Sequence, residues 1–289
     1  MQQAKPWLIL CTACIFLGRA YQYLWWDAPL RVFFWDEQLL APVVEGLLGR
    51  PWRDYATDPR VTDVIGRVQQ CIGVVWLVGA AAALAAFRSV RAWQVASLVG
   101  GTAFLVAHAL LETKDHFYHL AQFGEHLIQI ATPLLLLGLL RWGWPAGRLY
   151  AVGRAAVAVT FAAHGLYALG FHPVPVHFVD MTMLALGVGE GTARTFLAVV
   201  GWLDLGVAAA LFVPRLVRYA LGYVVVWGLL TALARVVSGA QVVALAEVFH
   251  HYGYRTVFRL PHGLLGVALL ALRRHLALLG ADAGAGERR

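Results

Sequence analysis

Charge is scarce in this sequence: Asp, Glu, Lys and Arg together make 13% of its 289 residues, about half the share usual in a soluble domain. That shortfall excludes an ordinary water-soluble fold, since 60% of the residues are hydrophobic and too few charges remain to cover them. Cysteine is nearly as thin. Its three residues exclude a disulfide framework. Cys11 and Cys14 form a C-x-x-C inside the apolar run "WLILCTACIFLG", where no polar flank supports a redox or metal pair, so packed core thiols are the better reading. No histidine follows them, which removes covalent haem attachment. The glycines of "GVGEGTAR" follow no strand, and a phosphate-binding loop is excluded with them. No small-x-small cleavage site follows the first apolar run, so the N-terminal segment is expected to stay as a first span.

What the chain does have is long apolar runs, eleven tryptophans and a positive mean hydropathy. These predict an all-α, polytopic helical bundle of a multi-pass inner (plasma) membrane protein, with the lipid bilayer as its first partner. About eight spans are expected, at 6–25, 68–87, 92–111, 121–140, 153–171, 195–213, 216–236 and 259–277. The net charge of +7 does not point to nucleic acid, because the basic residues are scattered in short loops. They act as topology signals instead. Lys5, Arg88, Arg91, Arg141, Arg148, Arg154, Arg215, Arg218, Arg273, Arg274, Arg288 and Arg289 fall on one side, accompanied by only Asp282 and Glu287. The opposite loops hold most acids, among them Asp27, Asp36, Glu37, Asp54, Asp58, Asp63 and Asp180. Positive-inside reasoning then places both termini in the cytoplasm. Every histidine of the eleven except His275 falls on the outer side or in the outer half of a helix.

The two halves look alike. "FLGRAYQYLWWDAPLRVFFWD" aligns with "FAAHGLYALGFHPVPVHFVD", so Arg19 matches His164, Pro29 matches Pro175 and Asp36 matches Asp180. The expected organisation is a first four-helix repeat at 1–145, with an outer cap over 27–67, and a second at 146–289 ending in a cytoplasmic tail. An even number of spans per copy makes the repeat parallel. "RAAVAVTFAAHGLYALG", followed by "TFLAVVGWLDLGVAAALFV", resembles the first two helices of DoxX-like membrane proteins, over about 120 residues of the second half. The first half, with Arg19, a Trp-rich exit and a long outer loop, is loosely similar to the membrane region of vitamin K-dependent carboxylase-like proteins. The first resemblance implies four-helix bundles in a membrane-redox context, with quinol or thiol chemistry. The second implies an extracytoplasmic active site.

Ionisable residues inside spans each need a reason, since burying one in lipid costs several kcal/mol unless it is paired or hydrated. His108 and Glu112 share a helical face, as do Glu125 and Gln129, with His126 adjacent. His164, Asp204, Arg235, His262 and Arg19 lie in other spans. One shared cavity is expected, gathering His108, His126, His164 and His262 with Glu125 and Arg19 at its wall. Three readings of it stand open. In the first, His126, His164 and His262 ligate a transition metal or haem b, with carboxylates behind them. In the second, Glu125 and His126 exchange protons with a quinone or other lipophilic substrate, with Arg19, Asp204 and His108 at the site. There Arg19 or Arg235 binds an anionic group; separately, His251, Arg255 and Arg259, at i, i+4 and i+8, line one helical face that either holds an anionic headgroup or substrate or forms a solvated interfacial stripe. In the third, these groups only bridge helices by hydrogen bonds. The predicted function is a membrane oxidoreductase with an outer polar site; the alternative is a structural subunit of a larger membrane complex. His116-x-x-His119 and the aromatic belt "WWDAPLRVFFW" are expected at the membrane surface.

Overall fold

The computed structural model describes residues 1–286, with side chains to 279, so the Asp282 side chain and all of Glu287, Arg288 and Arg289 in the charge pattern lie outside it. Among the described residues the chain is all helix, without strands. The elements are α1 (Lys5–Trp25), α2 (Arg31–Phe34), α3 (Glu37–Leu48), α4 (Trp52–Ala56), α5 (Pro59–Ala85), α6 (Ala92–Asp115), α7 (Leu120–Glu125) and α8 (Leu127–Leu140). They continue as α9 (Ala146–Ala168), α10 (Val176–Leu186), α11 (Glu190–Ala210), α12 (Val217–Gly239) and α13 (Leu245–Val248). A π-helical turn (Phe249–Gly253) then leads into α14 (Tyr254–Arg259) and α15 (Pro261–Gly286). Seven helical stretches are long and apolar enough to cross a membrane, and Leu127–Leu140 is a shorter apolar helix.

Several boundaries depart from expectation for local reasons. The stretch 59–67, expected in the cap, is instead the start of α5. Asp58 accepts from the Arg60 amide at 2.9 Å and Pro59 occupies the first turn, where its missing N–H costs nothing. The expected span 121–140 is two helices broken at His126. The break is held by the fully buried Thr160 of α9, whose hydroxyl donates to the Gly124 carbonyl at 3.0 Å and accepts from the Ile128 amide at 3.2 Å. A neighbouring side chain thereby satisfies the two backbone groups that the break would orphan. The last expected span, 259–277, starts at a turn at Leu260 that joins α14 to α15, and α14 is fastened to α12 by Thr256, whose hydroxyl donates to the Ala232 carbonyl at 2.9 Å. The second half carries a helix over its end that the expected loop lacks, α10, packed on α11 and α12.

In lipid, helices gain little from apolar burial itself, so close fit and interhelical hydrogen bonds hold the bundle. One core runs through both halves, including Phe16, Trp76 and Leu105 with Leu135, Phe161, Leu221 and Leu265. The fully buried Trp76 donates its indole N–H to the Gly101 carbonyl at 2.9 Å. The helices interleave: α1 packs on α5 but also on α14 and α15, while α9 packs on α11 but also on α7 and α8.

The cap is tied down by charge. The Asp36 carboxylate caps α3 through the Leu39 amide at 3.1 Å and pairs with Lys114 at the end of α6. Lys114, then the Leu39 amide, hold Asp36 below its ordinary pKa. A depressed carboxylate stabilises above its unfolded pKa and loses that contribution as pH falls through the folded value. Docking of residues 37–56 is therefore expected to be unchanged from pH 7 down to about pH 4, the ordinary aspartate value, and to loosen only below it. Hydrogen exchange over α3 and α4 across that range reads it, with Asp36→Asn already loosened at pH 7; a cap equally protected in that variant would contradict the tie.

Candidate functional site

Two cavities lie side by side near the breaks in α7/α8 and α14/α15. The first, about 430 Å³, is almost wholly apolar, walled by Phe161 and Phe178, by Met181 and Leu186, and by Leu197 and Trp227. Its polar groups are few: His164, Asp204, Thr182, Thr231, Arg235, Arg259 and His262. The second, about 750 Å³, is polar, and Arg19, Glu112, Glu125, His126, Arg235, Arg255 and Arg259 line it. Arg235 and Arg259 line both. Volumes of this order suit a small-molecule site.

The expected single cavity is thus divided. His164 and His262 face the apolar cavity and stack at 5.6 Å between ring centroids. His126 faces the polar one. His108 faces neither: it is buried against Tyr23, whose hydroxyl meets its Nδ1 at 2.9 Å, with Glu112 at 3.7 Å from Nε2 and the His126 ring at 5.3 Å. Asp204 sits in the apolar cavity and accepts from the Tyr223 hydroxyl at 2.9 Å. The histidines divide among four helical positions: His108 on α6, His126 between α7 and α8, His164 on α9 and His262 on α15. His126, His164 and His262 therefore do not close around one point, and among the described residues no group of three or more His, Cys, Asp or Glu is placed to hold a metal ion.

Each ring is locked by its backbone. The His126 Nδ1 meets the Gln122 carbonyl at 2.9 Å and the His262 Nδ1 meets the Arg259 carbonyl at 3.1 Å. A carbonyl only accepts, so the hydrogen-bond network assigns the proton of each neutral ring to Nδ1 and leaves Nε2 as a lone pair. The His262 Nε2 is buried without a partner among the described residues. His164 Nε2 accepts from Arg259 Nη1 at 2.9 Å.

Glu125 takes different partners from those expected. Its carboxylate meets not the adjacent His126 but His164 Nε2, at 3.6 Å, and Arg259 Nη2, at 3.9 Å. Successive residues leave a helix about 100° apart, so the side chains of 125 and 126, at the end of α7, point in different directions. Glu125 is buried, and its Oε1, the oxygen facing His164, has no hydrogen bond. His164 lines the apolar cavity and Glu125 the polar one, so this pair forms part of the partition between them.

Arg19 donates to Gln129 Oε1 through Nε and Nη2 (2.9 and 2.8 Å) and to Gln22 Oε1 at 2.7 Å, with its guanidinium 4.1 Å over the Phe258 ring. Arg235 donates to the Thr231 carbonyl of its own helix at 2.6 Å. The stripe His251, Arg255, Arg259 does not hold: Arg255 and Arg259 line the polar cavity, but His251 pairs with Glu247 at 3.6 Å. The π-turn is wider than an α-turn and shifts His251 out of phase with α14. At the edge of the polar cavity His119 and His172 stack at 4.0 Å, and burial, then the neighbouring His119, hold His172 below its ordinary pKa. Sequence reasoning missed Thr160 and α10. Thr160 carries no sequence signal, since a hydroxyl in an apolar helix more often bonds its own turn. The apolar run "VHFVDMTMLAL" was a usable signal for α10.

No family model, curated protein or solved structure matches this chain.

Proposed function

We propose that this is a redox-linked membrane protein that admits a quinone or related lipophilic substrate to the apolar cavity and exchanges its protons with the polar cavity. The observation that carries the reading is the His164–Glu125 pair, with one member facing each cavity and 3.6 Å between them. For the transfer Arg259 Nη1 leaves His164 Nε2, which then takes the proton of a hydroxyl held in the apolar cavity. From there the proton passes to Glu125 Oε1, once the 3.6 Å between them closes to hydrogen-bond distance, and on to water in the polar cavity. Arg259 donates to His164 at 2.9 Å and stands 3.9 Å from the Glu125 carboxylate, a charge contact that orients the pair. The electrons go to a redox partner protein in the same membrane. The resemblance to DoxX-like proteins supports this redox context. Charge asymmetry of the loops supports eight crossings, cytoplasmic termini and a polar cavity facing outward.

Packing supports the parallel repeat. Gly18 and Ala163 are aligned one residue before Arg19 and His164. A Cβ on Gly18 would lie 2.7 Å from the Tyr254 carbonyl of α14, and the Ala163 methyl packs on Gly124 of α7. Each thus seats the short helix of the other half. The purely structural reading fits less well. Interhelical glue has its polar atoms satisfied, whereas Glu125 Oε1, Arg259 Nε and His262 Nε2 are buried without partners among the described residues.

Trp227 in the cavity wall gives a direct test. Titrating detergent-solubilised protein with a short-tailed quinone is expected to quench tryptophan fluorescence saturably, with most of the quench lost in Trp227→Phe. A quench that rises linearly and is the same in that variant would mean partition into micelles, and the reading would fall.

A further inference from the structure

The polar cavity holds more buried cation than its own carboxylates answer. Arg19 is 3% exposed, yet its five N–H groups meet only the amide oxygens of Gln129 and Gln22 and the face of Phe258. Arg235 meets only the carbonyl of Thr231. Among the described residues neither has a carboxylate within 4 Å; Arg259 has Glu125 at 3.9 Å. The other acids of the cavity are engaged or peripheral. Asp27 is gripped by Arg31 at 2.6 Å through both oxygens. Glu112 faces His108 and His116 at 3.7 and 3.8 Å, and Asp115 is exposed at the edge. One buried and two half-buried guanidinium groups, with only Glu125 and the more distant Glu112 against them, are expensive, because neutral oxygens replace only part of the lost hydration.

We infer that the polar cavity is a binding site for an oxyanion, a carboxylate or a phosphate, held between Arg19, Arg235 and Arg259. An oxyanion suits this wall better than a halide, since a planar guanidinium offers paired N–H donors that match two oxygens on one centre. The cavity, about 750 Å³, has room for such a group with its waters or for the headgroup of a lipid. The anion lies on the opposite side of the partition from the apolar cavity, and Arg235 touches both spaces, so occupancy of one is felt in the other. This site does not depend on the redox reading; an anion would be held here whatever the apolar cavity takes.

The test uses the full chain in nanodiscs of phosphatidylcholine, at constant ionic strength set with sodium chloride. Inorganic phosphate and acetate are titrated while the thermal unfolding midpoint is followed. In parallel, nanodiscs containing phosphatidylglycerol are compared with phosphatidylcholine alone. A saturable rise in midpoint with a dissolved oxyanion identifies a free ligand, and a rise only with the anionic lipid identifies a headgroup; both support the site. Arg235→Gln is expected to weaken the effect about tenfold or more. Arg235→Lys retains the charge without the fork and is expected to fall between, and it carries the comparison if the glutamine variant does not fold. Unchanged midpoints in every condition, or identical titrations in the variants, would overturn the inference. The quinone titration on the unsubstituted protein, without added oxyanion, reports on the apolar cavity, so either proposal can fail without the other.

Discussion

Glu125→Gln is expected to lower quinol-linked turnover about a hundredfold or more, the scale on which a positioned acid–base group acts. Glutamine keeps the shape and one acceptor oxygen toward Arg259 but cannot take a proton from His164, 3.6 Å away. Because Glu125 lines the polar cavity and not the apolar one, quinone affinity should stay within about threefold of the parent. The loss therefore belongs in kcat. His164→Ala removes a group that also lines the apolar cavity, so it is expected to raise KM as well. Electron transfer measured against quinol concentration in membranes of each variant separates the two parameters. A kcat within tenfold of the parent in Glu125→Gln would remove the relay from the mechanism, and a fall in affinity with kcat unchanged would recast Glu125 as a binding group.

The second large effect lies in the helix contact that positions His262. At the crossing of α12 and α15, Gly228 and Gly263 bring backbone against backbone. A Cβ on Gly228 would stand 2.6 Å from the Gly263 nitrogen, and one on Gly263 would stand 2.7 Å from the Val225 carbonyl. Neither obstacle is a side-chain tip that can swing aside, so a larger residue must push the helices apart. Gly228→Leu is expected to destabilise the bundle by about 3 kcal/mol, the upper end for overpacking, and to abolish quinone binding along with it. Gly206 in α11 is the matched control, because a Cβ there meets nothing within 4 Å. Gly206→Ala should be neutral or stabilise by up to about 1 kcal/mol through helix propensity. Fluorescence-detected size exclusion with heating orders the variants. A Gly228→Leu protein as heat-resistant as the parent would mean that α12 and α15 do not meet at these glycines.

The first of these expectations lies at the break at His126, the second at a close crossing of two helices. A continuous helix would hold Glu125 and His126 in one hydrogen-bonded ladder. At the break, filled by Thr160, Glu125 faces His164 and His126 faces His108, as adjacent helical residues do not share a face. Such irregular backbone is tolerated at membrane depth only where protein or water satisfies it, and here it lies between two cavities.

The sequence by itself determined the class of molecule: low charge and apolar runs of about twenty residues, the length of a spanning helix and twice that of a barrel strand, point to a helical membrane bundle, in which each helix satisfies its own backbone groups. It also marked most of the polar residues that matter, because a charge inside an apolar run stands out. Arg19, Glu125, His164, Asp204, Arg235, Arg259 and His262 all line one of the two cavities. Periodicity could not tell which of them meet. Glu125 and His126 are neighbours in the chain and have separate partners, while Glu125 and His164, 39 positions apart, face each other. That pairing depends on how α7 leans on α9, which is set by small residues such as Gly124 and Ala163 and by one hydroxyl, Thr160, none of which differs from ordinary helix filling when read along the chain. The division into an apolar and a polar cavity was beyond the sequence for the same reason. It follows from α10 folding over the second half and from the interleaving of the two halves, and both are decided by interhelical fit rather than by hydrophobic pattern.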